Sequence, residues 1–181
     1  MLTLTENESP VAGSVLPMLV RDIRRVLDET RMEDLPHAVG CCLREHASVD
    51  GLLSRRQQAG SDESYTRHVL YAHPRGLCTV AALVWRPGQV TPVHGHYTWC
   101  SYMVLEGSML EEHFAWDREK KDVTKTGQIV RRAGAAVASH AGLEQIHRLR
   151  NAADETAISI HVYGVDAERI ATHVNRIVQR A

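Results

Sequence analysis

Several things are scarce in this 181-residue sequence, and each scarcity narrows what it can be. No apolar run approaches the ~20 residues that a membrane-spanning helix needs. The N-terminus carries Glu6 and Glu8 and lacks the basic-then-apolar pattern of a secretory leader. The expectation is therefore a cytoplasmic protein with no membrane contact. Net charge is only −1, and Arg24-Arg25, Arg55-Arg56 and Arg131-Arg132 are scattered pairs that build no basic stripe. Nothing here steers the chain to nucleic acid or an anionic surface. The four cysteines show neither C-x-x-C spacing nor the density of a disulfide framework. Cys41, Cys42 and Cys78 read as core packing. Internal repeats and low-complexity tracts are absent as well.

What is present is an ordinary globular composition, 44% hydrophobic and 24% charged, of a length that suits one domain. Residues 1–13 are polar and read as frayed. From Val15 to Arg31, Leu16, Leu19, Val20, Ile23, Val26 and Leu27 recur at three- and four-residue spacing, which predicts an amphipathic helix. Asp34 and Pro36 open a second helix through Ala38, Val39, Cys42 and Leu43. A third runs from Val49 to Gln58. Residues 1–60 thus form a helical cap, and 61–181 a mainly β region.

Strand signals cover Tyr65–Tyr71, Leu77–Trp85, Val90–His96, Trp99–Glu106, Met109–Trp116, Gln128–Arg132, Ala136–Ser139, Gln145–Arg150 and Thr156–Tyr163. Leu77–Trp85 is apolar enough to be buried on both faces. Many short strands with Gly, Pro and Asn punctuation imply a sandwich or barrel. The tail fits either helix or strand, with a turn at Asp166–Ile170 and a strand after it preferred.

The stretch Gly88–Gly107, GQVTPVHGHYTWCSYMVLEG, concentrates the chemistry. His94 and His96 are two residues apart in a strand, so their imidazoles share a face and suit one transition-metal ion. A third ligand must come from another strand. His147 fits best; His140, in a Ser-His-Ala-Gly turn, reads as exposed. Ser159, His161 and Tyr163 alternate with Ile158, Ile160 and Val162, which puts a polar stripe on one strand face.

Gly88, His94, His96 and Gly107 resemble the first cupin motif, and His147 with Asn151 resembles the end of the second. The resemblance implies a cupin double-stranded β-barrel with a metal inside. Ordinary cupins carry a glutamate where this chain has Cys100. Three neutral imidazoles leave a divalent ion with open positions for anionic ligands, a thiolate among them.

That variant is similar to the thiol dioxygenases, cysteine dioxygenase above all, over about Tyr65 to Tyr163. The resemblance implies one Fe(II) per chain on His94, His96 and His147. It implies that Tyr65 and Arg67 hold the substrate carboxylate, that Leu83 and Trp85 wall the pocket, and that Ser159, His161 and Tyr163 form a catalytic triad. In animal members a cysteine one residue beyond position 100 is joined to the triad tyrosine, which makes a Cys100–Tyr163 thioether a candidate here. The implied partners are a small thiol and O₂, in a monomer or weak homo-oligomer. Cysteine leads as substrate, with 3-mercaptopropionate and mercaptosuccinate behind it. The competing classes are a non-catalytic metal- or ligand-binding cupin and a zinc or nickel cupin isomerase or hydrolase.

Overall fold

The computed structural model describes residues 2–3, 15–46, 52–119 and 121–179. Three helices precede the barrel: α1 (Val15–Glu29), α2 (Leu35–His46) and α3 (Arg55–Gln58). The strands are β1 (Leu2–Thr3), β2 (Thr66–Ala72), β3 (Thr79–Trp85), β4 (Val93–His96), β5 (Cys100–Glu106), β6 (Ser108–Asp117), β7 (Asp122–Arg132), β8 (Ala136–Ser139), β9 (Gly142–Arg150), β10 (Ala157–Tyr163) and β11 (Asn175–Gln179). They form two sheets, ordered β1-β2-β3-β10-β5-β8 and β11-β4-β9-β6-β7. This is the cupin double-stranded β-barrel with an N-terminal helical cap. No described helix is long and apolar enough to cross a membrane.

The centre of the first sheet is buried on both faces: every residue of β3 and β10 is buried, and β3 reads as an almost unbroken apolar run. On its outer face Val80, Ala82 and Val84 join Ile158, Ile160 and Val162 against Leu19 and Ile23 of α1 and Val39 and Leu43 of α2. Each such Leu or Ile contributes ~1.5–3 kcal/mol on full burial. Ser101 of β5 donates to the Pro36 carbonyl and so pins α2 to this face. On the inner face Ala81, Leu83, Trp85, Cys100 and Tyr163 meet Met109 and Leu149 of the second sheet and Val174, just before β11. The chemistry-bearing residues belong to that inner layer.

The expected elements form, with corrections. The third helix starts at Arg55, because Ser54 and Gln57 make a reciprocal capping box there. Residues 49–51 of the expected helix lie outside the described residues. Of the segment expected to fray, Leu2 and Thr3 pair in parallel with Arg67 and His68, and the remainder also lies outside the description. β7 begins six residues before its expected start, at Asp122. It is an edge strand whose polar residues face solvent, so apolar alternation does not reveal it; its pairing with β6 does. A register shift between Val69 and Tyr71 turns Tyr71 away from Arg67 and into the outer core. Cys41 is exposed, with its sulfur 3.0 Å from an Arg44 nitrogen, whereas Cys42, Cys78 and Cys100 are buried. The tail resolves into a 3₁₀ turn at Ala167–Arg169 followed by β11.

Candidate metal centre

Two glycines bracket the ligand stretch in the left-handed region, Gly88 at φ 83° and Gly107 at φ 72°, where a β-carbon would be strained. Gly95 is constrained differently. A β-carbon there would run into the Gly142 carbonyl oxygen, so the missing side chain lets β4 and β9 approach closely. That approach sets His147 directly opposite His94 in the ladder.

The three imidazoles converge. Ring centroids are 5.4 Å apart for His94–His96, 4.7 Å for His94–His147 and 5.0 Å for His96–His147. One nitrogen from each lies within 4.8 Å of the others. All three residues are 5% exposed or less. Burial, with His147 adding to it, pulls His94 down to about 3 and His96 down to about 2, so both are neutral at physiological pH. His94 directs Nδ1 at the Pro92 carbonyl, 2.8 Å away. His147 Nδ1 faces a carboxylate oxygen of Glu111 at 2.7 Å, and its buried Nε2 has no hydrogen-bond partner. Two neutral imidazoles and a third whose buried Nε2 has no partner fit a divalent metal ion. His140 is exposed and stands outside this cluster.

The pocket over the histidines encloses about 320 Å³, part of it open to solvent. Tyr65, Arg67, Leu83, Trp85, Cys100, His161 and Tyr163 all line it. Ser159 does not; it stands one step behind. Tyr102, Thr91, Leu149 and Asn175 also line it, and no local pattern in the sequence marks them. Arg67 donates from one terminal nitrogen to the Ile170 carbonyl (3.2 Å), and its carbon Cζ lies 5.7 Å from the Tyr163 ring centroid. Its Nε is buried with no partner.

Trp85 does more than fill space. Its indole stacks on Tyr65 at 4.3 Å, and its Nε1–H donates to Ser159 Oγ at 2.9 Å. Indole nitrogen can only donate, and Ser159 Oγ, which keeps a second lone pair and its own proton, also hydrogen-bonds His161 Nε2 at 2.8 Å. Burial keeps His161 neutral by holding it well below its ordinary range. His161 and Tyr163 do not hydrogen-bond in this structure. They stack at 5.5 Å, with Tyr102 on the other side of His161 at 5.1 Å. The three residues are thus hydrogen-bonded from Ser159 to His161, with Trp85 joining at Ser159, and continue to Tyr163 by ring stacking. Burial pushes the Tyr163 hydroxyl and the Cys100 thiol up, so both keep their protons. Cys100 and Tyr163 are direct partners in the β5–β10 ladder.

The family model for cysteine dioxygenase type I matches residues 54–176. The chain belongs to that family. Solved structures similar to it include a Thermus thermophilus protein, 17% identical over 63% of this chain and 97% of that one, with a TM-score of 0.47. A Klebsiella pneumoniae protein with a double-stranded β-helix domain is 20% identical over 66% of this chain and 89% of its own, with a TM-score of 0.46. A cupin superfamily protein from Desulfitobacterium hafniense is 10% identical over 59% and 83%, with a TM-score of 0.44. Membership in the cysteine dioxygenase family supports a metal-dependent, dioxygenase-type function, and His94, His96 and His147 could hold the metal. In this family member Cys100 points inward at Tyr163, while Ser101 faces outward to α2.

Proposed function

We propose that this chain is an Fe(II)-dependent thiol dioxygenase that converts a small thiol carboxylate, L-cysteine first, to its sulfinic acid. The overall reaction is RSH + O₂ → RSO₂H, with both oxygen atoms retained on sulfur. One observation carries the reading: a buried, unpartnered Arg67 Nε shares a pocket with His94, His96 and His147. A guanidinium donor left unpaired beside Leu83, Trp85 and Leu149 is costly unless an anion enters. Arg67 is the only Lys or Arg among the described pocket-lining residues, so one carboxylate is matched and a second is not. That favours cysteine or 3-mercaptopropionate over mercaptosuccinate.

Iron held by His94, His96 and His147 supplies a place where thiolate, amino group and O₂ meet. The chain's own groups do the remainder. Arg67 grips the carboxylate and thereby orients the thiol toward the histidines. Tyr163 keeps its hydroxyl proton and offers it as a hydrogen bond inside the pocket. His161, tied by hydrogen bonds to Ser159 and through it to Trp85, holds the Tyr163 ring by stacking. Leu83, Trp85 and Tyr65 keep water out.

The test is anaerobic loading with Fe(II), then oxygen-electrode traces with L-cysteine, 3-mercaptopropionate and mercaptosuccinate and identification of the sulfinate by mass. Uptake with at least one monocarboxylate is expected. Silence with all three at full iron occupancy sinks the proposal.

The ladder pairing of Cys100 with Tyr163 also supports a thioether from the cysteine sulfur to the phenol ring. Its formation removes two hydrogens, with O₂ as oxidant. Peptide mapping after turnover is expected to find the two peptides joined and lighter by those hydrogens. A Cys100 that alkylates freely in every denatured molecule rules the bond out.

A further inference from the structure

We propose that Glu111, braced by Arg131, is the positioning residue for the third metal ligand: it fixes His147 with its proton on Nδ1 and its free Nε2 turned to the metal. The geometry is specific. Glu111 is 1% exposed, and both of its carboxylate oxygens are used. One lies 2.7 Å from His147 Nδ1 and the other 2.7 Å from Arg131 Nε. An ionised carboxylate buried to this degree is very costly without such partners. The three residues sit on the adjacent strands β9, β6 and β7, so the chain of contacts crosses the sheet from the histidine cluster to the edge strand.

The other two ligands lack this arrangement. His94 has only a backbone carbonyl behind it, and His96 Nδ1 has no partner. An anion behind an imidazole raises its electron donation and locks its ring orientation, whereas a carbonyl dipole does so more weakly. His147 is therefore the anchoring ligand. The arrangement also places a carboxylate near the centre without placing it on the metal. Position 100 holds a protonated thiol, and the negative charge sits one residue behind the cluster, balanced by Arg131. The carboxylate thus stands behind the histidines and not among them, so an incoming thiolate meets no competing anion.

The proposal rests on the three-histidine metal reading and is independent of the thiol chemistry, so the experiment uses metal binding and tautomer state in place of turnover. Cobalt(II) affinity is measured by competition with a chromophoric chelator for the wild type, Glu111→Gln and His113→Gln. His113 is a half-exposed neighbour on the same strand, 3.8 Å from Glu111. Glu111→Gln is expected to bind cobalt about 10–100-fold more weakly, and His113→Gln to match the wild type. Nitrogen-15 NMR of the metal-free wild type is expected to show the His147 proton on Nδ1, with cobalt or zinc then taken through Nε2. This measurement needs no variant, so a Glu111→Gln protein that does not fold leaves a decisive test in place. A folded Glu111→Gln with unchanged affinity overturns the proposal, as does a wild-type His147 carrying its proton on Nε2. A wild type that binds no cobalt removes the metal centre itself and the proposal with it.

Discussion

Acidifying the metal-free protein is expected to unfold it between about pH 6 and 4, more steeply than its surface carboxylates account for. His94 and His96 titrate at about 3 and about 2 in the folded chain, and His161 is held well below its ordinary value. In the unfolded chain each takes a proton near 6.5. Between these limits the unfolded state binds up to three more protons than the folded one. Stability is complete above about pH 6.5 and falls as pH drops, by ~1.4 kcal/mol per unit per histidine and ~4 for the three together. A domain of ordinary stability has only ~5–15 kcal/mol to lose. Glu111 and Glu112, both held down at about 2 in the folded chain, add their own losses only once the pH is below 4.5. Circular dichroism against pH reads the midpoint, and a zinc-loaded sample should unfold at lower pH because protons then compete with the metal. A metal-free midpoint below pH 3, with a slope near one proton, contradicts the buried neutral cluster.

Arg67→Ala is expected to raise KM for the active substrate about 30- to several-thousand-fold, with kcat less affected. Removing one partner of a buried charged pair costs about 2–5 kcal/mol, and ~1.4 kcal/mol is tenfold. Arg67→Lys should fall between the two, because it restores the charge without the planar fork. Arg67 also holds the Ile170 carbonyl, so a melting curve must accompany the kinetics. A KM within threefold of wild type, on a protein of normal stability, takes Arg67 out of the site.

The legible parts of this molecule are those whose signal is local. Alternation places Ser159, His161 and Tyr163 on one face, and the spacing of His94 and His96 places two ligands together. Apolar periodicity locates α1 and α2 within a few residues. What stays hidden depends on pairing between distant segments. Glu111 and Glu112 are neighbours in a polar EEHF stretch, and nothing local says which carboxylate turns inward. Only the pairing of β6 with β9 sets Glu111 behind His147. Alternation puts Tyr71 on the wrong face because the register shift after Val69 belongs to the β2–β3 ladder and leaves no mark in composition. Trp85 is legible as an apolar wall, but its donor role needs Ser159 from β10 beside it.

The way β11 and the turn before it complete the pocket bears on how the protein is made. The histidines lie between positions 94 and 147, whereas the carbonyl that steadies Arg67 is at Ile170 and the pocket wall includes Asn175. Synthesis releases the metal ligands first and this wall last. β11 then pairs along β4, setting Asn175 opposite His96 and Ile177 opposite His94. Vectorial assembly therefore leaves an interval in which the histidines have emerged and the substrate end has not closed. Metal delivered co-translationally would meet an open cradle, and one delivered later must pass through the finished pocket.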